Sequence, residues 1–331
     1  MLFRRLIWLL APLAVERAAL GQSPDCGALT LTERAAYPLS AAFGVSGAVS
    51  DPATGDLLIW FPDQSAIRFT RSGATIPLSL PPEVTITALA PGPEPGGVTI
   101  LDGAAGTLLR LDREGRLALS EPIPRFEGEA VDVAVRVGDR WVIGSRDLLR
   151  RRYVLRRLEP GGGETILYAA GPAASVASVP RFQLTANGTA VLLAELMAPF
   201  RVHRVPLDPG PVQDYEPVLA GGRAELVADT ALSLWRSLAA LPLDCGAIQT
   251  VADLSSLSRL LVRYDGAGRV ARVARVEAPL GLMLSRPEDR MLVGARRTGA
   301  GGAALELVFY EWRWVRAPNL SSHPSFEEPS Q

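Results

Sequence analysis

The segment IRFTRSG at residues 67–73 returns as LRLDREG at residues 109–115 and as RRLEPGG at residues 156–162. Looser copies lie at residues 205–210, 262–268 and 308–311. The central apolar residues of the six copies are separated by 42, 47, 49, 57 and 46 positions: Phe69, Leu111, Leu158, Leu207, Tyr264 and Tyr310. A period of about 40–50 residues is typical of a repeat architecture.

Each repeat contains the signals of four short strands. Charged and apolar residues alternate within each copy, as in a half-buried strand, and the following Asp-x-x-Gly predicts a hairpin turn. Roughly ten residues earlier lies a run that is apolar on both faces, which is typical of a strand buried on both sides. These runs are residues 57–61, 98–101, 141–143, 191–193, 248–251 and 291–293. A further strand candidate, such as residues 130–135 or 280–284, precedes the run. Four strands per repeat predict a propeller blade.

The order of these elements resembles the NHL-type six-bladed β-propeller family over residues 28–316. Asp102 and Asp253 match the Asp that follows the second strand in that family, although no Asn follows either of them. None of the six Trp residues precedes an Asp, which disfavours WD40 repeats. The resemblance implies an all-β ring whose ligands bind at loops around a central channel.

The sixth repeat is short of one strand, because little more than residues 311–316 follow Tyr310 before a Pro- and Ser-rich tail. Residues 28–32 alternate in polarity as the missing outer strand would. We therefore predict that this N-terminal strand completes blade six and closes the ring, which otherwise exposes a strand edge. The propeller domain is expected to span residues 22–316, and residues 317–331 form a disordered tail.

The fifth repeat has an excess of residues at 222–245, and two interpretations stay open. Apolar residues recur with helical spacing, which favours a short amphipathic helix on the rim: Val227, Ala231, Leu234, Leu238 and Leu241. Alternatively, residues 232–235 form the inner strand of blade five, and this is the interpretation we favour.

The N-terminus has the pattern of an export signal. Residues 1–21 combine a positive start at Arg4 and Arg5, a ten-residue apolar run and the small-x-small sequence at residues 19–21, which predicts cleavage before Gln22. The alternative is a membrane anchor, but a spanning helix needs about 20 apolar residues. We expect a bacterial protein located in the periplasm or secreted. All 34 cations are Arg, which is typical of a GC-rich genome.

Two cysteines in an exported chain can pair, and we predict a Cys26–Cys245 disulfide. The alternative is two buried thiols that act as small apolar groups. Neither cysteine has a neighbouring His or a CxxC partner, so the sequence indicates no redox or zinc site.

Charge and motifs exclude several functions. The formal net charge of −1 gives no surplus of cations for nucleic acid. No Gly-x-Ser-x-Gly elbow, phosphate-binding P-loop or HExxH motif is present. His323 lies in the predicted tail, which leaves His203 as the one imidazole for acid–base chemistry, and a rim position without catalysis is the expected role.

Arginines in the predicted channel-mouth loops are candidate ligands for carboxylate, sulfate or phosphate, because a guanidinium binds such groups bidentately. The candidates are Arg146, Arg150, Arg151, Arg201, Arg296 and Arg297. The alternative is a solvated surface on which Arg simply replaces Lys. We predict a monomeric, non-catalytic binding or scaffold module for a protein, a glycan or an anionic ligand, without a cofactor.

Two other functions stay open. Six-bladed lactonases that resemble this fold hold a divalent cation at the channel mouth, and hard oxygen ligands suit calcium. A calcium-dependent lactonase-like hydrolase would draw its ligands here from Asp132, Glu195, Asp102 and Asp253. The third possibility is a structural member of an envelope complex.

Overall fold

The computed structural model describes most of the chain, and every structural statement below concerns the described residues. They are residues 20–23, 27–39, 44–124, 128–159, 163–186, 188–208, 210–221, 223, 232–256, 258–277, 280–298 and 304–315.

The described residues form six antiparallel sheets arranged in a ring. The N-terminal strands are β1 (Leu20–Ser23) and β2 (Gly27–Leu39). Blade 1 contains β3 (Gly47–Ser50), β4 (Leu57–Trp60), β5 (Ala66–Phe69) and β6 (Thr75–Pro77). Blade 2 contains β7 (Ile86–Pro91), β8 (Val98–Asp102), β9 (Thr107–Leu111) and β10 (Leu117–Pro122). Blade 3 contains β11 (Glu129–Val137), β12 (Arg140–Asp147), β13 (Arg152–Leu158) and β14 (Glu164–Ala169).

Blade 4 contains β15 (Phe182–Ala186), β16 (Ala190–Glu195), β17 (Val202–Pro206) and β18 (Gln213–Asp214). Blade 5 contains β19 (Trp235–Pro242), β20 (Ala247–Asp253), β21 (Ser258–Tyr264) and β22 (Val270–Glu277). Blade 6 contains β23 (Leu280–Arg286), β24 (Met291–Thr298) and β25 (Ala304–Val315), followed in the sheet by β2 and β1. Short 3-10 turns at Val176–Ser178, Leu232–Leu234 and Pro287–Asp289 are the described helical elements. None of the described helices is long and apolar enough to cross a membrane.

The sheets are held together by six apolar clusters, one between each pair of neighbouring blades. The second strand of each blade supplies side chains to both of its neighbours; in β8 and β20, for example, every residue is buried. Burying one aliphatic side chain contributes about 1.5–3 kcal/mol. The cluster that joins blade 6 to blade 1 contains Ile59, Phe69 and Val293, so the ring of contacts is continuous.

Blade 6 combines the two ends of the described chain. Strand β2 pairs with β25 from Ala28 opposite Val315 to Leu39 opposite Leu305, and so extends well beyond the five residues predicted from the sequence. Whereas the pairing is observed, its role in fastening the ring stays a prediction. Strand β1 includes Leu20 and Gly21, the last two residues of the predicted signal. Residues 1–19 and 316–331 lie outside the described residues, so the signal and the disordered tail stay predictions.

The prediction for blade 5 is wrong in its boundaries. Leu232–Leu234 is a 3-10 turn, and the inner strand begins only at Trp235. The helical alternative is also wrong for Leu238 and Leu241, which lie in β19. A register shift between Ser237 and Ala239 changes the alternation of side chains, which explains why neither simple period fits this segment.

The seam between blades 5 and 6 is reinforced at the turn that joins β19 to β20. Asp244 in this turn accepts hydrogen bonds from Nε1 of Trp312 at 3.3 Å and from Nε1 of Trp314 at 2.6 Å. The guanidinium of Arg263 lies 5.3 Å from the ring centre of Trp314. Cys245 is in the same turn, but Cys26 lies outside the described residues, and their disulfide stays a prediction.

The two ends of the ring are built by different connections. We call the upper face the one that carries the loops between second and third strands, together with the loops between blades. The lower face carries the hairpin turns between first and second strands and between third and fourth strands. The register of blade 3, in which Glu129 at the start of β11 lies opposite Asp147 at the end of β12, fixes this assignment.

Candidate binding face and central channel

The inner strands of all six blades surround a central channel with a volume of about 1260 Å³. These strands are β3, β7, β11, β15, β19 and β23, and each is the edge strand of its sheet. Because an edge strand has one side without a neighbouring strand, its outward backbone N–H and C=O groups face the channel. The channel wall therefore combines backbone polar groups with apolar side chains such as Leu89, Val133 and Leu282.

Two residues predicted to bind different ligands bind each other. Arg146 donates from Nε to Oδ2 of Asp132 at 2.6 Å and from Nη2 to Oδ1 at 2.9 Å. This hydrogen bonding raises the pKa of Arg146 against the opposing effect of burial. A register shift between Val131 and Val133 accompanies the contact. Asp132 lines the channel, but its charge is balanced by Arg146.

The other candidate arginines of blade 3 help to hold their own loop. Arg150 donates from Nη1 to Oδ2 of Asp147 at 3.0 Å. Arg151 has a left-handed backbone with φ of 53° and donates to the carbonyl oxygen of Ala174 at 2.9 Å. Burial raises the pKa of Asp147, but its hydrogen bonds with Arg150 and the charges of Arg150 and Arg152 lower it overall.

The remaining candidate arginines lie elsewhere on the ring. Arg201 is exposed in the loop before β17, where its backbone N–H lies 3.4 Å from Oε2 of Glu195. Arg296 in blade 6 binds Glu33 at 2.7 and 3.1 Å and Glu306 at 2.9 Å. Burial lowers the pKa of Arg296, but these hydrogen bonds more than compensate, so the pKa is raised. Arg297 lines the channel. The six arginines are thus distributed over blades 3, 4 and 6.

The four carboxylates predicted as calcium ligands do not converge. Asp102 and Asp253 each end a second strand and accept hydrogen bonds from nearby loops. Asp102 accepts from the N–H groups of Ala105 in its own loop and of Thr85 just before β7, and Asp253 accepts from Ser255 and Ser256. Within the described part of the chain, no group of three or more His, Cys, Asp or Glu side chains is placed to hold a metal ion.

His203 lies at the seam between blades 3 and 4. Its Nδ1 is 2.6 Å from Oδ1 of Asp214, and its Nε2 is 4.0 Å from Oε1 of Glu195. The ring packs 5.3 Å from that of Tyr168 and 5.8 Å from that of Phe182. Burial lowers the pKa of His203, but Glu195 and Asp214 more than compensate, so the pKa is raised.

The upper face of blades 3 to 5 carries a feature that the sequence analysis missed. Six large hydrophobic side chains are exposed there, and we call them the apolar patch: Leu149, Val176, Met197, Leu232, Leu234 and Leu254. Leu149 is 65% exposed and Leu254 is 61% exposed. The other five exposed large hydrophobic residues of the described chain lie on strands. The sequence signal that could have revealed the patch is the presence of large apolar residues within segments predicted to be loops.

Hydrogen bonds link the loops of the patch to one another. The N–H of Ala173 donates to the carbonyl of Arg151 at 2.7 Å, which joins the loop of Leu149 to that of Val176. Leu196, beside Met197, donates to Arg181 at 2.9 Å and accepts from Ser237 at 2.9 Å. Leu254 donates to Leu234 at 3.0 Å. The patch is therefore carried by one connected set of loops.

No family model matches this sequence, and no curated protein matches it. Solved structures do resemble it. A member of the DUF4221 family from Bacteroides vulgatus has a TM-score of 0.58 at 8% identity, covering 87% of this chain and 99% of that one. A protein from Bacteroides fragilis whose name describes it as exported has a TM-score of 0.55 at 11% identity, covering 87% and 96%.

The calcium-binding protein regucalcin from Agrobacterium tumefaciens has a TM-score of 0.54 at 16% identity, covering 86% of this chain and 97% of that one. These neighbours are six-bladed β-propeller proteins, and at such low identity they establish the fold alone. The chain is thus an all-β protein with the six-bladed β-propeller fold. The comparisons do not specifically confirm the NHL type.

Proposed function

We propose that this protein is an exported, non-catalytic binding module that docks a protein partner on the apolar patch of its upper face. The observation that carries the proposal is the confinement of the patch to one face of three consecutive blades. Exposed apolar side chains that are gathered on one face of a monomeric protein commonly mark a binding site, and here the loops that carry them are linked by hydrogen bonds.

The loops beneath the patch are preorganised for such a role. Phe200 is fully buried, with a left-handed φ of 60°, and its N–H closes a turn on the carbonyl of Met197 at 2.9 Å. The half-exposed Met197 is the first residue of this turn. A rigid loop loses less conformational entropy when a partner binds, which favours affinity.

The chemistry of the face favours a protein with acidic and apolar side chains. Arg151 binds a backbone carbonyl, so its side chain keeps a net positive charge beside the patch, and Arg201 adds a second cation. Charge complementarity steers and orients association. All exposed large hydrophobic residues of the described chain are aliphatic or Met, so the face lacks the aromatic platforms on which sugar rings stack. A protein partner is therefore favoured over a glycan.

The same proposal includes export to the periplasm or out of the cell, a Cys26–Cys245 disulfide, a monomeric state and NHL-type membership. Leu29, three residues after Cys26, packs with Leu241 and Leu243 just before Cys245, which supports the pairing. Mass spectrometry of the purified protein is expected to show a chain starting at Gln22 that gains two hydrogens on reduction. A chain with two free thiols would contradict the disulfide.

Site-specific photo-crosslinking in the producing cell tests the docking face. A photoreactive amino acid is placed at Leu149 or Leu254 in the patch, and at Ile166, which is 51% exposed on an outer strand, as the control. We expect the same partner to crosslink from both patch positions and not from Ile166. Crosslinks from Ile166 alone, or none from either patch position, would refute the proposal.

A further inference from the structure

A small cavity in the seam between blades 4 and 5 carries a second inference, which does not depend on the apolar patch. Its volume is about 370 Å³. Blade 4 contributes Arg204, Gln213 and Tyr215, on and just after its third and fourth strands, and blade 5 contributes the turns at Asp244 and Gly266. Asp244 and Gly266 are exposed residues of lower-face turns, so the cavity opens at the lower face of the ring.

Arg204 belongs to a set of arginines that occupy the same position in five blades. Each lies on a third strand, opposite a second-strand residue: Arg68 opposite Leu58, Arg110 opposite Thr99, Arg157 opposite Val142, Arg204 opposite Leu192 and Arg263 opposite Ile248. Leu58, Val142, Leu192 and Ile248 belong to the apolar clusters shared with the following blade. Because directly opposite residues project from the same side of a sheet, these arginines face the following blade.

The other four arginines of this set have partners among the described residues. The partners are the carbonyl oxygen of Gly96 for Arg68, the carboxylate of Glu121 for Arg110 at 3.0 Å, the carbonyl oxygen of Leu207 for Arg157 and the ring of Trp314 for Arg263. Within the described part of the chain, the side chain of Arg204 makes no hydrogen bond and no ion pair. At this seam the cavity takes the place of a protein partner.

Tyr215 and Gln213 add polar groups on the same side of the sheet. Gln213 lies opposite Arg204 in the pairing of β17 with β18. Tyr215 is 5% exposed, its ring packs 5.1 Å from that of Tyr264, and its hydroxyl makes no hydrogen bond with a described residue. Burial raises the pKa of Tyr215 and the charge of Arg204 opposes this rise, which places the guanidinium near the phenol. The cavity therefore holds guanidinium, hydroxyl and amide donors.

Asp244 is the one acidic residue of the described lining, and its carboxylate is directed towards blade 6. Its Oδ1 accepts the indole N–H of Trp314 at 2.6 Å, and its Oδ2 lies 3.9 Å from Nε of Arg290. Asp265, whose charge acts on the neighbouring tyrosine, is bound by Arg269 at 3.0 Å. Both nearby acids are thus matched by an arginine of their own, and the charge of the cavity is positive.

We infer that this cavity binds a small organic oxyanion, whose carboxylate or phosphate group contacts Arg204. A guanidinium binds either group bidentately. The volume lies at the lower end of the range for small-molecule sites, which is about 300–1000 Å³. Leu192 and Leu243 in the lining are buried in the core and offer the ligand little apolar surface. An apolar ligand is disfavoured because it would take water from the guanidinium without replacing its hydrogen bonds.

Isothermal titration of the full mature chain with glycerol 3-phosphate and with lactate, at constant ionic strength, tests the inference. Glycerol serves as the neutral probe. We expect saturable binding of at least one of the two anions and none of glycerol. Failure of both anions to bind at up to about 10 mM, which corresponds to negligible affinity, would overturn the inference.

A matched pair of substitutions locates the site. Arg204→Gln is expected to weaken anion binding about tenfold or more, because it removes charge-assisted hydrogen bonds. The control is Arg110→Gln, which removes the arginine at the same position of blade 2, where Glu121 binds it. This control should leave the affinity unchanged. If Arg204→Gln binds as the wild type does, or if both variants lose affinity equally, the anion binds elsewhere and the inference is wrong.

Arg204→Lys guards against a purely structural effect, because it keeps the cation while changing the donor geometry. It should retain more of the affinity than Arg204→Gln, with melting curves recorded for both variants. Equal loss of affinity in the two variants would contradict a charge-based role. Crosslinking from the apolar patch on the upper face is independent of these results, so failure of this inference and failure of the docking proposal are distinguishable.

Discussion

The upper and lower faces of this propeller belong to the same six sheets but are built differently. Six of the eleven exposed large hydrophobic residues lie in upper-face loops of blades 3 to 5, and none lies in a described lower-face turn. Three upper-face loops contain a left-handed residue other than glycine: Gln64, Arg151 and Phe200. The described lower-face turns contain one, Arg290. Such strained positions persist where surrounding structure enforces them, and they concentrate at functional sites.

The lower face consists largely of short turns in which glycine takes the left-handed conformation. Gly246 is an example: its φ is +90°, and a Cβ there would lie 2.1 Å from the carbonyl oxygen of Tyr264. These turns fix the register of the strands and present little to a partner. The difference between the two faces supports the proposal that the upper face is the binding surface.

The largest expected effect comes from removing the strand on which both faces depend. Deletion of residues 22–36 removes most of β2, including the fully buried Leu29, and leaves β25 as an exposed edge. We expect a sharply lowered melting temperature or loss of cooperative unfolding. An unchanged melting curve would show that β2 does not fasten the ring.

A pair of glycine substitutions tests the structural role of the lower-face turn at Gly246. Gly246→Ala on the lower face should cost about 2–4 kcal/mol, because it combines backbone strain with a backbone clash. Gly171→Ala on the upper face is the matched control, since nothing lies within 4 Å of the added Cβ. It should be neutral or slightly stabilising. Equal destabilisation of the two variants in denaturant titrations would contradict this role of Gly246.

A substitution of Asp244, in a lower-face turn, should have a smaller effect on stability. Asp244→Ala leaves Nε1 of the fully buried Trp312 without its acceptor, which should cost about 1–3 kcal/mol. Asp139→Ala, at an exposed position in another lower-face turn, is the control and should change stability by less than about 0.5 kcal/mol. Similar melting temperatures for the two variants would show that the turn does not latch blade 6 to blade 5.

The smallest expected effect is on the pH dependence of stability. The raised pKa of His203 means that its interactions with Asp214 and Glu195 stabilise the fold fully below the unfolded-state value of 6.5. This contribution is lost as the pH rises through the higher folded-state pKa. As the pH rises from 6.5 through the folded-state pKa, the free energy of unfolding should therefore fall more steeply in the wild type than in His203→Gln. Parallel profiles would contradict the assignment.

The sequence was sufficient for the architecture because each blade repeats a local pattern. The second strands and the marker residues were predicted from apolar runs and Arg-apolar-Asp turns, and all six sheets appear as expected. Blade 5 was the exception, because the register shift in β19 disturbs the period on which the prediction relied.

The candidate site was less predictable, because its chemistry depends on contacts between elements. Arg146 and Asp132 are 14 residues apart and were assigned to different ligands, although they form one ion pair. Leu149 and Leu254 are ordinary apolar residues in sequence, and only the packed loops show that they are exposed. The sequence could place residues in loops, but it could not tell which loop residues share a face.

The most direct test of the docking face is the affinity of the crosslinked partner for two matched triple variants. The patch variant carries Leu149→Ser, Met197→Ser and Leu254→Ser, and the strand variant carries Ile76→Ser, Leu117→Ser and Ile166→Ser at residues of comparable exposure. We predict that the patch variant loses at least about tenfold in affinity while keeping its melting temperature, and that the strand variant binds as the wild type does. Equal affinity of the two variants would contradict the assignment of the upper face as the binding surface.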